Sequence, residues 1–193
     1  MFKAIDAEVA DLLAPPRPTK RTSVDDLVTL QAAVLYQTIR LYHGELEQRM
    51  TAEQQEFMLR SYALNVLRRA DVELQEASRT WEMWILAESI RRTVVVVFKL
   101  YTMYWAFKKQ VCFEIDGLNA LPVSMSPELW RLEGKAAFAE HPAPDTVLTH
   151  DDFTRIWGGK VTVGTVGVDP FHDMLLLGCK RRPGETMEGW RDP

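Results

Sequence analysis

The sequence predicts an all-α fold: a helical bundle-like domain of five to seven helices with a loop-rich C-terminal third. Three observations predict it. Apolar residues recur at spacings of three and four from residue 23 to about 70, the period of a helix with one buried face. A second run, residues 78–109, contains no glycine or proline. Short connections near 44–51 and 70–77 favour antiparallel packing of neighbouring helices.

The first element is a short amphipathic helix over residues 1–13, with Phe2, Ile5, Val9 and Leu12 on one face. Pro15, Pro16 and Pro18 stop it, and Arg17, Lys20 and Arg21 make the rest of segment 1–22 a stiff basic linker. A single helical domain is expected over 23–180, followed by a flexible tail at 181–193. Ser23 is placed to cap the next helix by accepting the Asp26 amide, with Asp25 and Asp26 at its positive end. Leu27, Leu30, Val34, Leu35, Ile39, Leu41 and Tyr42 form its broad apolar stripe, and Gly44 ends it. Thr51, with Gln54 three residues on, reads as the next start. Phe57, Met58, Tyr62, Leu64 and Leu67 continue a helical stripe to about Ala70.

From Ser78 the pattern becomes denser. Val94-Val95-Val96-Val97 has strand propensity, yet a helix through Lys109 is expected, because burial overrides the modest cost of β-branched residues. The core is placed at Trp81, Trp84, residues 94–98 and residues 100–105. Beyond Asp116-Gly117 the elements shorten. Ser126-Pro127 opens a short helix, Asp151 begins one or two turns, and 161–168 is the other strand candidate. Residues 169–179 form a last helix, with Phe171, Met174, Leu175 and Leu177 inward.

Composition narrows the function classes. The 193 residues can build one sizeable core. With 47% apolar and 26% charged residues, a wholly disordered chain and a rod are both excluded. Twenty-three basic against 27 acidic residues leave a net charge of -4, so DNA contact would need a local patch. Two cysteines, Cys112 and Cys179, exclude a disulfide framework and a cysteine-rich zinc site within these residues, and fit a reducing compartment. The first residues carry acidic side chains and no apolar signal core. The strongest apolar run, 94–107, includes Lys99 and falls short of the roughly twenty residues of a membrane span. No membrane contact is expected.

Catalytic and ligand motifs are scarce. His43, His141, His150 and His172 stand far apart, so no metal site is expected. Gly158-Gly159-Lys160 and Gly164-Thr165-Val166-Gly167 lack the spacing of a phosphate loop. Cys112 reads as a core thiol. No cofactor and no catalytic residue is assigned.

One constellation stands out, Trp81-Glu82-Met83-Trp84-Ile85-Leu86-Ala87-Glu88-Ser89-Ile90-Arg91-Arg92-Thr93. On a helix Trp81, Trp84 and Glu88 share a face, and Glu88 reaches Arg91 or Arg92 one turn on. A buried structural ion pair is the favoured reading. The alternative is an apolar small-molecule pocket walled by Trp81, Trp84, Tyr101, Tyr104 and Trp105, with Glu88 or His43 as its polar group.

The same segment resembles a "W-x-x-x-E-S-x-R-R-T" pattern in the C-terminal regions of fungal zinc-cluster transcription factors that regulate secondary-metabolite gene clusters. The string from Leu30 to Leu41 resembles the helix that opens this region. Leu121-Pro122-Val123-Ser124 with Glu128-Leu129-Trp130 resembles its "LP-x-S … LW" segment, and Phe171-His172-Asp173-Met174-Leu175-Leu176-Leu177 its late helix. The likeness covers roughly residues 25–180. It implies a regulatory domain of nuclear location that works through protein partners, such as a second copy or a DNA-binding regulator. The family's DNA reader is a six-cysteine, two-zinc cluster, which two cysteines cannot build. Direct sequence-specific DNA binding by these residues is therefore not expected. The alternative is a biosynthetic enzyme of the same pathway that uses the regulator-like fold as a pocket.

Overall fold

A computed structural model describes Ala7, Val9 and residues 21–75, 80–110, 115–132, 134–140, 146–157 and 170–176. Among these residues run α1 (Ser23–His43), α2 (Leu46–Gln54), α3 (Glu56–Gln75), α4 (Trp81–Lys109), α5 (Ile115–Asn119), β1 (Pro122–Ser124), α6 (Pro127–Trp130), α7 (Lys135–Glu140), β2 (Val147–Thr149), α8 (His150–Trp157) and α9 (Pro170–Leu176). The fold is all-α. Among the described residues the sheet content is one antiparallel pair, with Val123 opposite Leu148. The expected helix over 1–13 is described only at Ala7 and Val9, both helical, with Val9 fully buried. The strand candidate at 161–168, the tail at 181–193, His141 and both cysteines lie outside the described residues.

Three helices make the frame. Ser23 of α1 meets Glu73 of α3, Tyr62 donates to Asp26 at 3.2 Å, and Gln37 and Arg40 donate to Gln55 just before α3 begins. Pairing thus runs in opposite directions along the two helices, so α1 and α3 are antiparallel. Likewise Trp105 of α4 donates to Glu56, while Arg60 lies over the rings of Phe98 and Tyr101. Helix α4 is therefore antiparallel to α3. The core between them contains Leu30, Ala33 and Leu41, then Leu59, Ala63 and Val66, then Ile90, Val94, Phe98 and Tyr101.

Local details correct several expectations. Thr22, not Ser23, caps α1: its backbone is extended, its hydroxyl accepts the Asp25 amide, and the Asp25 carboxylate returns to the Thr22 amide. That reciprocal box satisfies two orphan donors at once, leaving the Ser23 hydroxyl free to donate to Glu73. Gly44 does end α1, because a Cβ there would lie 2.3 Å from the Arg40 carbonyl oxygen. Thr51 starts nothing. It sits inside α2, its hydroxyl donating to the Glu47 carbonyl one turn back, and the chain breaks at Gln55 instead. Phe57 and Met58 face outward, and the inward stripe of α3 runs through Leu59, Ala63, Val66 and Ala70.

Helix α4 spans 29 residues, the four valines included. Val94, Val95 and Val97 are buried, and each contributes about 1.5–3 kcal/mol on burial. The helix-propensity cost per residue is below about 1 kcal/mol, so burial wins. Thr80 caps the N-terminus, and Gln110 closes the helix in the left-handed region at φ 57°. No helix among the described residues is long and apolar enough to cross a membrane.

Candidate functional site

The site begins with the position of Glu88. Helical spacing puts Trp84, Glu88, Arg91 and Arg92 along one side of α4, where the short elements of the C-terminal third pack. Glu88 is 1% exposed. One carboxylate oxygen accepts Arg91 Nε at 2.9 Å and the other accepts Arg92 Nε at 2.8 Å. Both guanidinium groups come from the next turn of the same helix. A buried carboxylate held by two charge-assisted bonds is tolerable where the same group alone would not be.

Arg92 then carries the contact outward. Its guanidinium lies 4.1 Å from the Trp130 ring centroid and 4.6 Å from that of Phe171. Trp130 belongs to α6 and Phe171 to α9, so one planar cation is held between two segments about 40 residues apart in the chain. Trp84 packs on Trp130 at 6.4 Å and on Phe138 of α7 at 6.0 Å. Glu82 pairs with Lys135 at the edge. The sequence strings around Trp84, Trp130 and Phe171 thus meet at a single junction. An ammonium cannot reproduce the flat stacking of a guanidinium, so Arg92→Lys should cost about 1–2 kcal/mol in urea unfolding. Trp130→Leu also removes the packing on Trp84, so the double variant should lose more than Arg92→Lys alone but less than the sum of the two single losses. Additive losses would show two independent contacts.

A second polar group lies deeper. Lys99, about two turns beyond Arg92 on α4, is 3% exposed and donates to the Leu175 carbonyl at 2.9 Å. Burial lowers its pKa to about 8. His150, at the start of α8, is 4% exposed. Its pKa falls to about 4, through burial first and then the charge of Lys99. The His150 amide donates to the Leu121 carbonyl at 2.8 Å, and His172 stacks on Phe153 with centroids 5.2 Å apart. These contacts fasten α8 and α9 to α4 and to the chain entering β1.

The other aromatic residues lie at the opposite end of α4. Tyr101 is buried, its hydroxyl donating to the Ala52 carbonyl at 3.3 Å. Burial, with the Glu56 carboxylate nearby, pushes that hydroxyl far above the usual tyrosine range. Tyr104 donates to Glu53, and Trp105 to Glu56 at 2.7 Å. Tyr42 meets Tyr104 edge-on, and Lys108 lies over both Tyr104 and Trp105. At 1.5 Å per residue, Trp84 and Tyr104 are about 30 Å apart along the helix. They belong to different neighbourhoods, and one small-molecule pocket walled by all five aromatics does not form. Trp81 and Trp84 are half-buried at the margin rather than central, and the Trp81 Nε1 finds no acceptor among the described residues. His43 is exposed at the end of α1, remote from Glu88.

Several buried polar groups were not foreseen. Asp26, Arg40 and Arg60 are at most 5% exposed, and no sequence pattern marked them as inward. Arg40 Nη1 donates to Gln55 at 2.8 Å, and Arg60 pairs with Glu56 at 2.8 Å. Periodicity hides such residues, because it scores a charge as outward. Only Lys99 gave a signal, as a lone cation inside an apolar run.

Comparison with known proteins adds the decisive point. Transcription factor gsfR2 of Penicillium aethiopicum is 29% identical over 173 residues, a match that takes in 80% of this chain and 40% of that protein. The chain is related to a fungal transcription factor. It spans well under half the length of that relative. No family model matches the chain, and no solved structure matches it.

Proposed function

We propose that this chain is a regulator-like domain of a fungal secondary-metabolite gene cluster that works in the nucleus by associating with protein partners. The observation that carries the reading is the similarity to a fungal transcription factor across 80% of the chain. The junction at Glu88 and Arg92 adds support, since strings that resemble zinc-cluster regulators, distant in sequence, come together there. These residues hold two cysteines and a net charge of -4, which favours protein contact over the DNA backbone. On this reading DNA is contacted by a partner or by another segment, and Arg17, Lys20 and Arg21 assist nuclear import.

The test is transcription of the neighbouring biosynthetic genes after the gene is disrupted. Altered transcripts, restored by the wild-type chain and poorly by Glu88→Gln, are the expected result. Unchanged transcripts with an accumulating pathway intermediate would overturn it and favour a biosynthetic enzyme.

A further inference from the structure

The outer face of α1 is inverted relative to an ordinary surface helix. Val24, Val28, Leu35 and Tyr42 are 53%, 59%, 65% and 45% exposed. At 100° per residue they fall within about 40° of one another, with Gln31, Thr38 and Ile39 filling the same stripe. The charged residues that would normally occupy such a face turn inward, Asp26 to Arg69 and Tyr62, and Arg40 to Gln55. Between Leu27 and Tyr42 the helix therefore shows solvent an apolar stripe without a lysine, arginine, aspartate or glutamate. A face of this kind marks an interaction surface.

We propose that this face docks on α1 of a second copy of the chain, with the two helices antiparallel. The placement of charge selects that occupant and that direction. Asp25 and His43 are exposed near opposite ends of α1. They lie 18 residues apart, which is five turns, so they share one flank of the stripe. In an antiparallel pair about a two-fold axis near residue 34, like flanks meet, and residue 25 faces residue 43 of the other copy. Each Asp25 carboxylate then accepts an N–H from the partner copy's imidazole, once at each end. A parallel pair would instead set each Asp25 against the partner copy's other flank, where Leu27, Val34 and Thr38 offer no cation. With the axis between residues 33 and 34, Val24 lies near the level of Tyr42, Val28 near Ile39 and Gln31 near Leu35, and the two helix dipoles oppose favourably. Such an interface is isologous and closes at two copies.

The area is modest. Twenty-one residues give a helix about 31 Å long. Pairing two of them buries on the order of 500 Å² per copy, toward the low end of specific interfaces. The dimer should accordingly populate at tens of micromolar chain rather than nanomolar.

Sedimentation of the full chain at that concentration tests the proposal. The wild-type chain should sediment as a dimer, and Leu35→Glu as a monomer with unchanged circular dichroism and melting temperature. Direction is read in a background carrying Cys112→Ser and Cys179→Ser. Mixed Val24→Cys and Tyr42→Cys copies should cross-link under mild oxidation, while Val24→Cys copies alone should not. A wild-type monomer, a dimer that survives Leu35→Glu, or cross-linking of Val24→Cys to itself would each overturn it. The proposal names a partner for the association proposed above and so rests on that reading. A monomer would sink the dimer and leave the regulator reading to its transcript test. A dimer with unaltered transcripts would do the reverse.

Discussion

Glu88→Gln is expected to lower the melting temperature by roughly 6–20 °C, corresponding to about 3–5 kcal/mol in a domain of this size. The substitution keeps shape and volume and removes only the charge. Glutamine has one acceptor oxygen where two are used, and its amide would point two hydrogens at a guanidinium. Arg91 and Arg92 have side chains 12% and 11% exposed, so water replaces the lost partner poorly. The cost is mainly that of two cations left without their shared carboxylate. Glu82→Gln is the control. Its side chain is 46% exposed and pairs with Lys135, itself 76% exposed, and a pair of that kind is worth under about 1 kcal/mol. Thermal unfolding of the two variants decides the matter. Equal small shifts would mean that Glu88 does not hold the junction.

Stability should also fall by about 3 kcal/mol as pH drops from about 6.5 to below about 4, through His150 alone. The folded pKa of about 4 lies below the ordinary value of 6.5. Between those values the unfolded chain binds a proton that the folded chain refuses, so unfolding gains with acid. The contribution is intact above pH 6.5 and gone once pH passes below the folded pKa. Many carboxylates titrate in the same range, and comparison with His150→Gln separates them. The variant should lose the extra acid slope in urea midpoints between pH 6.5 and 4. Lys99 has the same sign at the other end. Its folded pKa of about 8 lies below 10.5, so stability should rise between those two values, and Lys99→Met should abolish that rise. Identical pH profiles for wild-type and variants would contradict the burial of both groups.

The parts of the fold that periodicity can see were legible in the sequence. Helix α4 is the best example, because the absence of glycine and proline outweighed four consecutive valines. The end of α1 at Gly44 was equally plain, since only glycine permits that approach to a carbonyl. Helix starts were less so. Thr22, Ser23 and Thr51 are interchangeable as caps by residue type, and the choice depends on where Asp25 returns its carboxylate. Leu35, Tyr42, Phe57 and Met58 were read inward because apolar residues flank them on both sides of the helix. Their exposure is set by which neighbouring helix arrives, and a single sequence does not state that.

The junction was half legible. Glu88, Arg91 and Arg92 are three and four residues apart, and helix geometry alone brings them together. Trp130 and Phe171 reach Arg92 through the fold of the loop-rich third, which no local pattern specifies. The five aromatics grouped as one pocket shared only a helix, and their separation along it follows from counting residues. The turn of helix beginning at His150-Asp151-Asp152 was legible, but the burial of His150 beside Lys99 and Leu175 was not.

Hydrogen exchange on Glu88→Gln tests most directly the claim that Glu88 and Arg92 hold the C-terminal third onto the three-helix frame. At 25 °C, amides in 121–130, 147–157 and 170–176 should exchange much faster than in the wild-type chain. Those of α1 and α3 should stay close to wild-type protection. Exchange that quickens equally throughout, or that does not change in the three C-terminal segments, would contradict the account.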